Sequence, residues 1–204
     1  TRIREDHLRI LRYFRFQARF GNLPADSEAE AACAELASTL KGLSRERIGM
    51  EMMNLLSLTD PAPTILRMSA LGVLAQILPE AEPKALAELV SQEVEQDVAP
   101  DPLRRLAALL PPNRDLAEQV AARFRLSGAQ KKRLATAASR TSDTPDARAL
   151  DYQLGRDGAL DLLLLAGASI APLESWETPE FPLKGGEVVA RGMKAGPQVA
   201  RTLH

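Results

Sequence analysis

The chain has 204 residues, with 26 Lys and Arg against 27 Asp and Glu, 45% hydrophobic residues and only 4% aromatic ones. That is the balance of an ordinary globular protein rich in Ala and Leu, which favours helices packed on helices, and its near-zero net charge carries no argument for or against a nucleic-acid partner. Cys33 is the sole cysteine, and His7 and His204 are the only histidines, which excludes an intramolecular disulfide, a cysteine metal site and a histidine-based triad, and suits a reducing cytoplasm.

There is no apolar run of about 18 residues, so no membrane span is expected, and no signal peptide. The first residue is Thr, already inside a helical pattern, and the chain reads as a piece of something longer. The first helix is expected from about Arg4 to Phe20, stopped by Gly21 with Pro24 beyond. Asp26-Ser27 starts a second through about Ser38, and Ser44 caps a third, SRERIGMEMMNLLSL, in which Ile48, Met52, Leu55 and Leu56 recur at helical spacing. Asp60-Pro61 opens a segment that Gly72 breaks and Pro79 ends. Further helices are expected at about 83–97, 102–110, 114–125, 128–139 and 146–156, punctuated by Pro100, Pro102, Pro111-Pro112, Gly128 and Pro145. GALDLLLLAGAS reads as a short apolar helix between Gly158 and Gly167, followed by an irregular arm, APLESWETPEFPLKGG. Two short helices, about 185–191 and 197–203, close the chain. No period-2 strand is evident, and the expected fold class is all-α with no sheet.

Charge is unevenly placed. Residues 1–21 carry six arginines against Glu5 and Asp6, while residues 80–102 carry seven acids against Lys84. On the first helix, Ile3, His7, Ile10, Leu11, Phe14 and Ala18 share the face expected to be buried. Arg2, Asp6, Arg9, Tyr13, Phe16 and Phe20 share a second face, and Arg4, Arg12, Arg15 and Arg19 a third. Read from spacing alone, Glu5, Asp6 and Arg9 form intrahelical i,i+3 and i,i+4 ion pairs, with acids favoured at the positive end of the helix dipole.

The stretch IREDHLRILRYFRFQARFG resembles the motif R-I-x-E-D-P-L-R-I-L-R-A-x-R-F-A-A-R of the class II tRNA nucleotidyltransferase and bacterial poly(A) polymerase family. Arg2, Ile3, Glu5, Asp6, Leu8, Arg9, Ile10, Leu11, Arg12, Arg15, Phe16, Ala18 and Arg19 match in register, and His7 stands where the family has proline. LSRERIGMEMMNLL at 43–56 is similar to the family's L-S-x-E-R-I-x-x-E-L-x-x-L-L, with Met52 in place of leucine. LPEAE at 78–82 and the closing PLKGGEVVARGMKAGPQVARTL continue the likeness.

The resemblance implies a neck carrying a nucleotide-template helix (1–58), a helical body (59–157) and a tail (158–204). It implies addition of C and A to tRNA 3′ ends, or poly(A) synthesis by the same family. The expected partners are tRNA or other RNA 3′ ends, ATP and CTP, and a head domain of the same chain. In that family the head holds Mg²⁺ on catalytic carboxylates, and no Gly-Gly-x-V-R-D motif occurs here, so no catalytic residue and no metal site are expected in these 204 residues, which alone should not transfer nucleotides. Asp6 and Arg9 are implied to read the base, with Glu5 holding Arg9. Arg12 first, and Arg15 and Arg19 after it, either bind triphosphate or RNA phosphates, or solvate the helix and pair with the missing head. A carboxylate only accepts and a guanidinium only donates. The pair therefore complements the amino donor and ring-nitrogen acceptor that C and A present, and mismatches G and U.

Other features stay open between structure and function. Arg45, Glu46 and Arg47 support the template helix or form a solvated first turn. Lys131, Lys132 and Arg133, and in the tail Lys184, Arg191 and Lys194, touch RNA or are surface charge; Trp176 reads as a local packing anchor and Cys33 as core filler. The competing class is a noncatalytic helical RNA-binding module; a metal hydrolase on a helical scaffold is disfavoured by the scarcity of histidine.

Overall fold

The computed structural model describes residues 6–21, 25–141, 146–179 and 185–202, and no strand occurs among them. Ile3, Arg4, Glu5, Pro24, Pro145 and Lys184 lie outside the described residues. Helices α1 (Arg9–Phe20), α2 (Ser27–Glu35) and α3 (Arg45–Leu56) are followed by α4 (Ala62–Ala70), α5 (Leu74–Ile77), α6 (Pro83–Glu95), α7 (Pro102–Leu109), α8 (Arg114–Arg123), α9 (Gly128–Ala137) and α10 (Ala147–Leu165). Short α11 (Gly185–Ala190) and α12 (Pro197–Thr202) complete the order.

Helix starts follow side-chain caps. Asp26, Ser44, Asp101, Asn113, Ser127 and Asp146 each accept backbone N–H groups of the first turn they precede, satisfying donors that a helix leaves orphaned. Ser127 and Gln130 do so reciprocally, as a capping box. Gly72, at φ +69°, separates α4 from α5 in a left-handed conformation that suits glycine. Two expectations shift. The segment after α2 tightens into a 3-10 turn over Ala37–Gly42 instead of extending the helix to Ser38. The break in α10 falls at Gly155, φ +76°, three residues before Gly158.

The main core gathers Leu8, Ile10, Leu11 and Phe14 of α1 with Ile48, Met52, Leu55 and Leu56 of α3, and continues through α4 to α9. Cys33 is fully buried within it, and burial pushes its thiol up to about 11, so it is a neutral apolar filler. A smaller cluster joins Ala147, Ala159, Leu163 and Leu173, with Trp176 packed against it. Trp176 is thus a local anchor, its indole N–H donating to Asp151 at 2.9 Å. Gly49 lets α3 approach the end of α8: a Cβ there would lie 2.5 Å from the Phe124 carbonyl oxygen.

A polar network runs through the core. Glu93 of α6, 1% exposed, accepts from Arg104 Nε at 3.1 Å and Arg105 Nε at 2.8 Å. Arg105 also donates to the carbonyls of Leu56, Leu58 and Thr59, capping the end of α3. Arg133 of α9 forks onto both oxygens of Asp161, at 2.7 and 2.8 Å, and reaches Asp101 at 2.8 Å. Burial raises the Asp161 carboxyl above its ordinary range against the pull of Arg133. Removing one partner from such a set leaves charges buried and uncompensated. Glu93→Ala should therefore lower the urea-unfolding free energy by about 3–5 kcal/mol. Glu118→Ala, which loses only the exposed pairs to Arg114 and Lys131, should leave it nearly unchanged. Equal effects of the two substitutions in a urea titration would contradict this account.

Candidate functional site

Asp6 sits just before α1. Its Oδ1 accepts the Leu8 backbone N–H at 3.1 Å, and its main-chain oxygen accepts that of Arg9 at 3.0 Å, so the residue starts the helix. Arg47, in the first turn of α3, donates Nη2 to Asp6 Oδ2 at 3.1 Å and to Oδ1 at 3.4 Å. An ion pair that spacing alone did not suggest thus reaches Asp6 from across the α1–α3 interface. Asp6 is 29% and Arg47 44% exposed, so the carboxylate is both fixed and reachable from solvent. The Leu8 N–H, followed by the charge and hydrogen bonds of Arg47, holds the Asp6 carboxyl below the usual carboxylate range, against the smaller opposing effect of partial burial.

Arg9 and Arg12 follow Asp6 at intervals of three, and Arg12 lies with Arg15 on the face of α1 next to that of Arg9. Arg12 Nε donates to Glu51 Oε1 at 3.0 Å, and Arg15 Nε to Glu51 Oε2 at 2.8 Å. Glu51 is buried, while Arg12 keeps 41% of its side chain exposed. One carboxylate from α3 therefore orients two guanidinium groups of α1 and leaves part of Arg12 facing water. Sequence reasoning missed Glu51 as a partner, although a signal exists: with Ile48, Met52 and Leu55 it occupies the buried stripe of α3, and an acid on such a stripe needs a cation. Glu5, expected to hold Arg9, lies outside the described residues.

The remaining expected basic residues are not brought together. Lys131 pairs with Glu118 at 3.1 Å, Lys132 is exposed, and Arg133 turns inward to Asp161 and Asp101. Arg191 and Lys194 are exposed around α11 and the Gly192 turn, and Lys184 lies outside the described residues. The outer side of α1 carries a second unforeseen feature. Phe16 and Phe20, 49% and 69% exposed, stack at 6.3 Å, with the Arg15 and Arg19 guanidiniums 4.6 and 5.1 Å over their rings. Among the described residues no group of three or more His, Cys, Asp and Glu could hold a metal ion, so no chemistry is assigned to a metal held by them.

Because the folded Asp6 carboxyl titrates below its unfolded value of about 3.9, its contribution to stability is present above that value and is lost as pH falls through the folded midpoint. A carboxyl-carbon NMR titration should place the Asp6 midpoint below 3.9. Arg47→Gln should raise it only part of the way, since the Leu8 N–H remains. A midpoint at or above the ordinary value in the unsubstituted chain would overturn the assignment.

The chain is similar to known proteins in sequence and in fold. A family model described as the probable RNA and SrmB-binding site of polymerase A matches residues 23–84. The mitochondrial CCA tRNA nucleotidyltransferase 1 of Mus musculus is 31% identical over 232 residues, covering 99% of this chain and 50% of that protein. The Danio rerio counterpart is 30% identical over 225 residues, covering 99% and 51%. A Thermotoga maritima CCA-adding enzyme complexed with tRNA superposes with a TM-score of 0.62 at 16% identity, over 98% of this chain and 56% of that one. A CCA-adding enzyme complexed with CTP gives 0.64 at 16% identity, over 98% and 55%; at that identity the two solved structures show the fold. The chain spans about half the length of the curated relatives it matches. The likeness runs through the whole chain in sequence and in fold: 99% of it is homologous to mitochondrial CCA tRNA nucleotidyltransferases, and residues 23–84 match the polymerase A RNA-binding model.

Proposed function

We propose that this chain is the nucleotide-selecting and RNA-binding part of an enzyme that adds C and A to tRNA 3′ ends, working with a catalytic head that its 204 residues do not include. The observation that carries the reading is the Asp6 carboxylate, fixed by Leu8 and Arg47 at the head of α1, with Arg9 three residues on and Arg12 one turn further. An ionised carboxylate has about four acceptor positions. Asp6 therefore retains acceptor capacity while bound to Leu8 and Arg47, and one free lone pair suits the amino group that cytosine and adenine share. Arg9 supplies donors for the neighbouring ring nitrogen, and Glu5 is its proposed holder. Arg12, steadied by Glu51 and partly exposed, is the proposed phosphate contact.

A guanine or uracil in this place would set carbonyl against carboxylate and N–H against guanidinium. Each buried group left unpaired costs about 1–3 kcal/mol, roughly a 10- to 100-fold preference for the matched base. A poly(A) polymerase of the same family uses the same donor–acceptor logic for adenine alone and is the second reading. The exposed Phe16, Arg19 and Phe20 face, with the half-buried Arg15 over Phe16, suits packing against the catalytic head, since exposed aromatics of this size mark an interface. Lys132, Arg191 and Lys194 are the exposed cations proposed to meet RNA phosphates, with Lys131 shared with Glu118 and Lys184 added from the tail. Mg²⁺ is assigned to the head and the reaction to the cytoplasm, where a sole buried thiol needs no partner; the chain alone is proposed to be inactive.

The test joins this chain to the catalytic half that its relatives carry and supplies Mg²⁺, all four nucleoside triphosphates and a tRNA lacking its 3′ end. Sequenced products should end in CCA, with no extension by the chain alone. Exchanging the pair, Asp6→Arg with Arg9→Asp, should shift incorporation toward G and U by about tenfold or more. Long A tails would select the polymerase reading, and unchanged base preference in the exchanged variant would discard the proposed role of Asp6 and Arg9.

A further inference from the structure

Away from α1, a cleft of about 540 Å³ opens between the α6–α7 connection and the second half of α10. Arg104 lines it and is only 3% exposed. Its Nε is bound to Glu93 at 3.1 Å and its Nη2 to the Ala99 carbonyl at 3.1 Å. Its Nη1 has no acceptor, and it is the only buried side-chain nitrogen in that condition among the described residues. An unmatched guanidinium N–H pair in a buried wall is costly and calls for an oxygen acceptor.

The rim has the opposite character. Asp97, Asp157 and Glu174 line the cleft and are exposed. Asp97 and Glu174 have no ion pair among the described residues, and Asp157 has only Arg133 at 4.0 Å. Arg156, the other cation of the cleft, is already engaged by Asp151 at 3.2 Å and by the carbonyls of Leu173 and Trp176. The rim carboxylates are not gathered as a metal site is, since no metal-holding cluster occurs among the described residues. Between rim and floor the wall is apolar, formed by Leu160, Ile170 and Trp176.

We infer that this cleft takes a short basic peptide segment, with Lys or Arg side chains over Asp97, Asp157 and Glu174 and a main-chain carbonyl accepting from Arg104 Nη1. Separate negative groups match charges carried on successive side chains, whose aliphatic stems suit the apolar wall. A peptide carbonyl is the acceptor that the floor lacks, and a polyamine offers none. A nucleic-acid strand would bring phosphates against a negative rim.

Trp176 is the only tryptophan of the chain, so its emission reports on this cleft without a label. Titration with acetyl-Lys-Leu-Lys-amide should give a saturable change in emission. Asp157→Asn with Glu174→Gln should weaken binding about tenfold, the product of two exposed ion pairs that each contribute a few-fold. Arg104→Lys should weaken it while keeping a cation beside Glu93; a urea melt reports whether that variant folds, and the rim pair carries the test if it does not. Equal binding of acetyl-Glu-Leu-Glu-amide or inorganic phosphate would overturn the proposal in favour of an anion site. Equal binding of spermidine would overturn the carbonyl contact, and with it the peptide. A saturable response to an RNA octamer that rim neutralisation strengthens would replace the peptide by nucleic acid. No change in emission with the basic peptide would reject the cleft as its site.

Discussion

Everything proposed for α1 depends on how α3 is held. The helix is 12 residues long, about 18 Å, and it is gripped by charge at three levels. At its C-terminal end the buried Arg105 guanidinium donates to the carbonyls of Leu56, Leu58 and Thr59, where a helix leaves acceptors orphaned and its dipole favours a cation. In the middle, Glu51 binds Arg12 and Arg15 of α1. At the N-terminal end, Arg47 binds Asp6. The apolar stripe of Ile48, Met52, Leu55 and Leu56 supplies most of the burial, but burial is not directional. The ion pairs fix which residue of α1 faces which residue of α3.

This division of labour explains why so many charges lie inside an aromatic-poor helical protein. Leu and Ala surfaces pack in several registers at similar cost, whereas Glu93 with Arg104 and Arg105 can be satisfied in one arrangement. A buried ion pair is a weak source of net stability because desolvation offsets attraction. Its use here is positional: Glu93 seats Arg105, Arg105 seats the end of α3, and α3 presents Glu51 and Arg47 to α1. Gly49 contributes from the other side by letting the Phe124 backbone approach.

The helices were legible because their signals are local. Caps such as Asp26, Ser44 and Asp101, and breakers such as Gly72 and the prolines before α6 and α7, act within one turn, and the buried stripe of α1 follows from spacing. Long-range pairing was not legible. Asp6 and Arg47 are 41 residues apart and Arg12 and Glu51 are 39 apart, and periodicity reveals only neighbours three or four residues away. Arg133 shows the same limit. A run of Lys131, Lys132 and Arg133 reads as basic surface, yet its third member turns onto Asp161, an acid inside an apolar stretch. The usable signal was on the partner: Glu51 and Asp161 interrupt hydrophobic runs and Glu93 continues the buried helical spacing of Leu86, Leu89 and Val90, and each is the buried acceptor of an arginine. The α10 break at Gly155, where Gly158 was also available, was set by which glycine takes up φ +76°, a tertiary choice that two nearby glycines leave open.

The gradient of exposure along these networks bears on how a base could be read without a template strand. Glu93 and Arg105 are sealed in the core, at 2% and 1% side-chain exposure, whereas Arg12 is 41% and Asp6 29% exposed. A group that recognises a nucleotide must be open to it, but an open side chain on a flexible stem discriminates poorly, because it can move to meet the wrong partner. Fixing each exposed group from its buried side answers both requirements. Leu8 and Arg47 define where the Asp6 acceptors point, and Glu51 defines where the Arg12 donors begin. In the proposed reading a mismatched base would meet groups held from behind, and the energy of the mismatch would stay in the complex instead of being relaxed away.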